Sequence, residues 1–287
     1  KRASLAYSHA LDTEGQFINR VSVGLQHEQH TLQGTTLLPA PADYRPELQL
    51  LYPFVQYELL EDSWRQGYNI SQIQRTEDLN LGRQLRTSLG YATSDGSQWI
   101  VKGEYTDTLH YQPQSILQLH ADWQGRWLQQ DGDWEDATMQ IGLDYHRGQG
   151  DNRILYLGLE ASKVINLRNG TQLELGGRNG LRGYDTHYLQ GTSTVRFTAE
   201  ERLFTNYHFL QLFRVGMAVF YDAGKVSGSL DPNADGVFQG VGLGLRLAPS
   251  RSQSGQIIHI DFAYPLDTAQ PNGKHQLQFI AEVKKSF

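Results

Sequence analysis

Apolar and polar side chains alternate along much of the chain, and the pattern recurs from one stretch to the next. In 115–128 and 136–146 most odd positions carry Leu, Ile, Met, Ala, Trp or Tyr, while most even positions are polar or Gly. The same alternation appears in 237–247 and, with the parity reversed, in 257–264. A period of two is typical of a β-strand with one apolar face, so the pattern predicts an all-β protein.

The polar face of these segments distinguishes between a soluble sandwich and a membrane barrel. It is rich in Gly, Gln, Asp, His and Arg, and many segments exceed ten residues. Sandwich strands are shorter and more evenly spaced. Aromatic residues lie toward segment ends, as in a membrane girdle: Tyr52, Trp64, Trp99, Trp127, Tyr145 and Tyr264. We therefore expect a transmembrane antiparallel β-barrel, with a sandwich as the alternative.

Fifteen segments have strand-like patterns. They are 2–10, 18–31, 47–60, 62–73, 78–93, 97–107, 114–128, 134–147, 152–165, 170–176, 193–204, 209–223, 237–248, 254–265 and 275–287. Since bacterial barrels have an even strand number, we expect sixteen, with the first strand preceding residue 1 or one segment divided wrongly. No linker divides the chain, so residues 1–287 are predicted to form a single barrel domain. Periplasmic domains are expected upstream of it.

Composition narrows the class of protein. The chain has 287 residues, a net charge of −6 and a mean hydropathy of −0.51. No apolar run is long enough for a membrane helix. The absence of cysteine excludes disulfides, zinc-thiolate sites and thiol nucleophiles. The acidic balance argues against nucleic acid as a partner.

One glycine-rich stretch, residues 176–185, carries the candidate functional motif. It contains Leu181, Arg182, Gly183 and Tyr184 in succession. Four further segments follow in order: 194–204 with a Glu-Glu-Arg run, 214–226 with Phe-Tyr-Asp-Ala-Gly, 240–246, and 259–266.

This order resembles the bacterial surface antigen superfamily of outer-membrane assembly and translocation barrels, which includes BamA, TamA and the two-partner secretion transporters. The motif resembles the superfamily's Val/Ile/Leu-Arg-Gly-Phe/Tyr sequence, which lies on a long loop that folds back into the lumen. The resemblance covers about the last hundred residues. It implies a C-terminal barrel domain of the BamA/TamA kind, with the loop folded into the lumen.

The strand pattern suggests partners for Arg182. In 193–204, Glu200 shares the polar parity, and in 209–223 Asp222 does the same, so both carboxylates are predicted to point into the lumen. A planar guanidinium suits bidentate pairing with carboxylates. We expect Leu181, Arg182, Gly183, Tyr184, Glu200 and Asp222 to fasten the loop to the barrel wall. The alternative places Arg182 in an exposed loop and treats both acids as ordinary lumen groups.

The last segment resembles the terminal strand signal by which barrels are recognised for insertion. Phe279, Val283 and Phe287 share one parity with Leu277 and Ala281. Lys285 interrupts this apolar face, so the likeness is imperfect.

Several other motifs carry little weight. Residues 231–236 imitate the start of an EF-hand loop, but position twelve would be Gly242 instead of an acid. The glycines of 240–244 lack the spacing of a dinucleotide site, and no Gly-x-Ser-x-Gly elbow is present. The histidines show no metal-ligand spacing. We therefore predict no catalytic residues, no metal site and no cofactor.

The resemblance implies a non-enzymatic, multi-pass β-barrel of the bacterial outer membrane that inserts or translocates polypeptides. Expected partners are outer-membrane lipids and lipopolysaccharide, polypeptide clients, and periplasmic domains or accessory proteins. The alternatives are the membrane anchor or export barrel of a patatin-like lipase, a two-partner secretion transporter, and a passive porin.

Overall fold

The structure is a computed structural model that describes residues 1–12, 15–31, 47–70, 72–112, 114–167, 172–229, 231, 234–251, 255–267 and 276–285. Within these ranges the chain forms seventeen β-strands and no α-helix. None of the described segments is a helix that could cross a membrane. The strands are β1 (Arg2–Asp12), β2 (Phe17–Thr31), β3 (Glu47–Glu61), β4 (Trp64–Tyr68), β5 (Thr76–Asn80), β6 (Gln84–Ala92), β7 (Gln98–Gln112), β8 (Ser115–Leu128), β9 (Asp133–Gly148), β10 (Arg153–Ile165), β11 (Leu173–Leu175), β12 (Leu189–Gly191), β13 (Ser193–Phe209), β14 (Phe213–Ser227), β15 (Phe238–Pro249), β16 (Gln256–Pro265) and β17 (Gln278–Lys285).

Thirteen of these strands form one large antiparallel sheet, which we call the wall. Its order is β1-β2-β3-β6-β7-β8-β9-β10-β13-β14-β15-β16-β17. Neighbours in the wall also follow each other along the chain, apart from the intervening pairs β4–β5 and β11–β12, as in up-and-down membrane barrels. Among the described residues β1 pairs with β2 alone and β17 with β16 alone, so the wall has two unpaired edges.

The predicted all-β, antiparallel architecture is therefore confirmed, but two predicted wall strands are wrong. The segment 62–73 leaves the wall, because Asn69 and Gln74 adopt positive φ and the chain turns back as the β4–β5 hairpin. The segment 170–176 contributes only β11, which pairs with β12 inside a loop. The single strand predicted at 78–93 is divided near Gly82, where a Cβ would lie 2.9 Å from the Glu61 carbonyl carbon. A closed barrel of sixteen strands remains a prediction.

The two ends of the wall differ. At one end, the loop end, residues 166–192 connect β10 to β13 and 228–237 connect β14 to β15. At the other end, the turn end, 149–152 connect β9 to β10 and 210–212 connect β13 to β14. The exception at the turn end is 62–83, which contains the β4–β5 hairpin.

The two faces of the wall differ in the way that the alternation predicts. Large apolar side chains are exposed on the outer face, including Leu5, Val23, Val55, Met139, Leu159, Val219, Leu243 and Phe262. Their strand neighbours point inward and are polar or small, such as Ser22, Glu58, Asp122 and Gly244. An apolar outer face and a polar interior are typical of membrane barrels.

The wall curves around this polar interior, which we call the lumen. Ile73, on the connection from β3 to β6, packs in one cluster with Ile154, Phe204, Ala248 and Ile257 of β10, β13, β15 and β16. The connection between β3 and β6 therefore reaches strands that are distant from β3 and β6 in the sheet. A second apolar cluster lies at the loop end and contains Leu175, Leu181, Tyr184, Leu189, Val226, Ala234 and Phe238.

Candidate functional site

The candidate motif lies on the connection between β10 and β13, described from residue 172 onward. β11 and β12 pair in a three-residue ladder from Leu173↔Gly191 to Leu175↔Leu189, which closes the base of this loop. Between them the chain turns from Gly176 to Tyr188. We call residues 176–188 the motif loop.

Short backbone hydrogen bonds hold the motif loop in a compact turn. The Tyr184 amide donates to the Leu181 carbonyl at 3.1 Å, and the Gly177 amide donates to the Tyr184 carbonyl at 2.9 Å. Gly180 has a φ of +94°, a conformation that side chains rarely adopt. A Cβ on Gly183 would lie 3.0 Å from the Pro265 nitrogen, so glycine allows the turn to lie directly against β16.

The residues on either side of Arg182 anchor the turn in the loop-end apolar cluster. Leu181 is fully buried, and Tyr184 stacks edge-on against Phe238 with ring centroids 5.7 Å apart. The Tyr184 hydroxyl lies 2.8 Å from both the Gln239 carbonyl and an Asp267 carboxylate oxygen. Burial and the Asp267 charge raise the pKa of Tyr184 above its ordinary value, so the hydroxyl keeps its proton.

Arg182 points from the motif loop onto the inner face of the wall. Its Nε donates to Asp222 Oδ2 at 2.7 Å and its Nη2 to Asp222 Oδ1 at 2.8 Å, a bidentate pair. Nη1 donates to Glu200 at 2.8 Å and to Asp261 at 3.2 Å. The guanidinium carbon lies 3.3 Å from the centre of the Phe220 ring. One side chain on the loop thus binds β13, β14 and β16.

Two further cations complete the cluster. Arg246 of β15 donates to Asp261 at 2.5 Å and to Glu200 at 3.2 Å. Arg202 of β13 donates to the second Glu200 oxygen at 2.8 Å. We call the six residues Arg182, Arg202, Arg246, Glu200, Asp222 and Asp261 the bracing cluster. Three guanidiniums face three carboxylates, so the formal charges balance.

Burial makes this balance important. The Arg182, Glu200, Asp222 and Asp261 side chains are all less than one-tenth exposed. Burial alone would lower the pKa of Arg182, but the hydrogen bonds and charge of Asp222, together with Glu200 and Asp261, raise it above its ordinary value. The guanidinium therefore remains charged. Removing one partner from such a group leaves an uncompensated buried charge.

The structure brings together the loop residues and both acids that the sequence indicated. Glu200 and Asp222 lie on neighbouring strands and both touch Arg182. The sequence analysis did not identify Asp261, Arg246 or Arg202 as members. The parity of their strands already placed Asp261 and Arg246 on the lumen face. The missing information was the register, which sets Gly244 opposite Asp261 and leaves room beside it.

The predicted terminal-strand residues are separate from this cluster. Phe279 and Val283 lie on the outer face of β17, with Phe279 packed against Phe262 at 5.3 Å between ring centroids. Phe287 lies outside the described residues, as does part of the EF-hand-like stretch at 231–236. In the ranges that the structure describes, no group of acids and histidines could hold a metal ion.

A cavity of about 360 Å³ adjoins the bracing cluster and is lined by His120, Tyr156 and Lys284 among others. His259 Nδ1 and Arg246 Nε, both at this cluster, have no hydrogen-bond partner within the described part of the chain. The arrangement is a buried, charge-balanced electrostatic contact between the motif loop and the wall. Its chemistry suits holding a loop in place.

The comparison with known protein families gives a match that includes the motif loop. A model of the Omp85 superfamily domain matches residues 19–282. Two solved structures are similar: CdiB from Escherichia coli, with 14% identity and a TM-score of 0.47, and CdiB from Acinetobacter baumannii, with 16% identity and a TM-score of 0.48. The alignments cover 98% of this chain but 52% and 49% of those chains, so this chain spans about half their length. A comparison with the curated proteins gave no match.

Proposed function

Because this chain belongs to the Omp85 superfamily of bacterial outer-membrane β-barrels, we propose that it inserts or translocates polypeptides as the barrel domain of a BamA/TamA-like assembly factor. The superfamily's members handle polypeptide clients, and this chain shares their motif order. The observation that carries the proposal is the bracing cluster. It fastens a loop inside the lumen, to β13, β14 and β16, at the motif whose order this chain shares with the superfamily.

Insertion is the mode of action that we propose. Edge strands of a sheet are templates for the addition of another strand. A client segment with alternating polarity could pair with such an edge of the barrel and pass sideways into the lipid. The braced loop would keep β13, β14 and β16 rigid while the edge moves.

The polar lumen favours a second candidate, two-partner secretion, in which a client crosses through the interior. Polar and charged side chains contribute much of the lining of adjoining cavities of about 790, 450 and 340 Å³, which lie along β1 to β10. Such a path would suit an extended, hydrated polypeptide. The alternative of a lipase anchor would require an enzymatic partner domain.

The test reconstitutes the protein in lipid vesicles and adds either of two unfolded clients. One client is an outer-membrane β-barrel, and its insertion is measured by heat-resistant migration on gels. The other is a soluble, extended polypeptide, and its delivery into vesicles is measured by protease protection. We expect faster insertion of the barrel client than in empty vesicles, and slower insertion with Arg182→Ala.

Arg178→Ala is the matched control, because Arg178 is exposed on the same loop and is outside the bracing cluster. Protection of the soluble client alone would favour two-partner secretion. Steady ion conductance without an effect on either client would favour a porin and contradict the proposal.

A further inference from the structure

The connection from β3 to β6 is much longer than the wall requires. The Glu61 amide donates to the Arg83 carbonyl at 2.8 Å, and the Leu81 amide donates to the Ser63 carbonyl at 2.8 Å. The Arg83 and Glu61 side chains also pair at 3.0 Å. The two wall strands are therefore already joined at residues 63 and 81. Everything between these positions is an appendage, which we call the crossing hairpin (residues 64–70 and 72–80).

The crossing hairpin spans the turn end of the lumen. It leaves the wall between β3 and β6, and its tip reaches the opposite rim. Ile73 is fully buried there, in the cluster shared with β10, β13, β15 and β16. The Arg214 guanidinium on β14 donates to the Ile73 carbonyl at 3.2 Å.

Polar contacts fix both sides of the tip to the same rim. Gln74 donates to the Thr205 carbonyl at 2.9 Å, and Arg75 donates to the Ser250 carbonyl at 2.7 Å. On the other side Asn69 donates to the Asp151 carbonyl at 2.8 Å. These bonds go to backbone carbonyls of the β9–β10 turn, of β13 and of the β15–β16 turn. The position of the tip therefore depends on the backbone of the folded rim.

The hairpin lies across the turn end of a lumen that still contains open, polar space. Walls of eight strands enclose only side chains, whereas walls of sixteen or more strands leave an aqueous channel. The described part of the wall already has thirteen strands, and the three cavities along β1 to β10 show that space remains in its interior.

A row of charges crosses this open half of the lumen. Arg20, Glu58, Arg86 and Glu104 are successive cross-strand neighbours on β2, β3, β6 and β7. Glu58 contacts Arg20 at 3.2 Å and Arg86 at 2.8 Å, and Arg86 also contacts Glu104 at 2.5 Å. Arg20, Arg86 and Glu104 are each more than half exposed to this space. Such a surface suits water and small hydrated ions.

We propose that the crossing hairpin is a plug that closes the turn end of a water-filled lumen to small hydrated ions, with Ile73 as its latch. Release of the latch opens an ion path through the lumen that passes the charged row. The plug gives the barrel a closed resting state independent of any client. It acts at the end opposite the motif loop and does not involve the bracing cluster.

Two variants test the plug by conductance in planar bilayers bathed in potassium chloride. In the first, residues 64–80 are removed so that Ser63 joins Leu81, which leaves a four-residue hairpin loop of a common length. In the second, Ile73→Asp places a charge in the apolar latch at full chain length. We expect a several-fold rise in steady conductance in both.

Tyr68→Asp is the matched control, since Tyr68 is exposed on the same hairpin and the change adds the same charge. It should conduct like the parent protein. Heat-resistant migration on gels verifies that each wall has folded. If excision prevents folding, Ile73→Asp decides the question. Parent-level conductance in a folded Ile73→Asp protein, or equal rises in Ile73→Asp and Tyr68→Asp, would overturn the proposal, and neither result depends on client handling.

Discussion

Replacing Arg182 with alanine tests the bracing cluster directly. In the intact protein Asp222 accepts two hydrogen bonds from the Arg182 side chain and one, at 3.0 Å, from the Thr198 hydroxyl. After the substitution the Thr198 hydroxyl and the backbone amide of residue 182, which donates at 3.4 Å, remain for a carboxylate that is almost fully buried. Breaking one side of a buried ion pair costs about 3–5 kcal/mol.

The lower end of that range applies here for two reasons. Glu200 and Asp261 keep their contacts with Arg246, and the adjoining cavity can admit water to Asp222. With about 3 kcal/mol lost and a factor of ten for each 1.4 kcal/mol, the undocked population of the loop should rise about 100-fold. The contacts of Leu181 and Tyr184 in the loop-end apolar cluster should keep the docked state dominant.

Hydrogen–deuterium exchange measures this population. The Gly177 and Tyr184 amides are bonded only within the docked turn, so their exchange should accelerate about 100-fold if it follows local opening. Arg182→Lys keeps the charge but loses the bidentate fork, so its effect should be intermediate. A double-mutant cycle with Asp222→Asn should give a coupling energy of about 0.5–3 kcal/mol.

Arg178→Ala serves as the control and should leave exchange at both amides unchanged. The cycle of Arg178→Ala with Asp222→Asn should show no coupling. If Arg182→Ala exchanged at the parent rate at residues 177 and 184, the guanidinium would contribute nothing to docking, and the reasoning would be refuted.

Three further predictions concern the contacts of the motif loop and the outer face of the wall. Gly183→Ala should lower the free energy of unfolding in urea by about 1–3 kcal/mol, because the added methyl group meets the backbone of β16. Gly148→Ala, where the nearest atom is 3.6 Å away, should have little effect. Equal effects of the two substitutions would contradict the argument that the loop approaches β16 closely. Tyr184→Phe should lower the thermal midpoint by an amount that corresponds to about 1–2 kcal/mol, since two polar partners lose the hydroxyl; an unchanged midpoint would show that water replaces it fully. Leu243→Arg, at the middle of β15 on the outer face, should make the free energy of folding into lipid vesicles less favourable by about 2–4 kcal/mol. The lumen-facing Ser88→Arg should leave this free energy unchanged. Equal folding yields for the two variants would show that this face does not meet lipid.

Much of the wall could be predicted from the sequence because its signal is local. The alternation at 115–128 or 237–247 depends only on the pleat of one strand, and it correctly separated outer from inner residues. The inward positions of Glu200 and Asp222 followed from the same parity. The family follows from the motif order after Leu181, and the superfamily match confirms it.

The remaining features depend on information that lies outside any one segment. The segment 62–73 has a strand-like pattern because β4 is a strand, but its partner is β5, and nothing local shows that it leaves the wall. The role of Ile73 depends on its contacts with the opposite rim, which no local sequence pattern shows. Asp261 and Arg246 could be placed on the lumen face, yet their meeting with Glu200 depends on the registers of three strand pairs, from β13 to β16.

The distribution of the three acids sets a condition on when the motif loop can be fastened. Glu200, Asp222 and Asp261 belong to β13, β14 and β16, so the pocket for Arg182 comes into existence only once those strands have aligned. The β11–β12 ladder, in contrast, needs contacts only between residues close in sequence and can form at once. The base of the motif loop can therefore form before its binding pocket exists. Arg182 can bind its three carboxylates only after β13 to β16 have paired in the correct register.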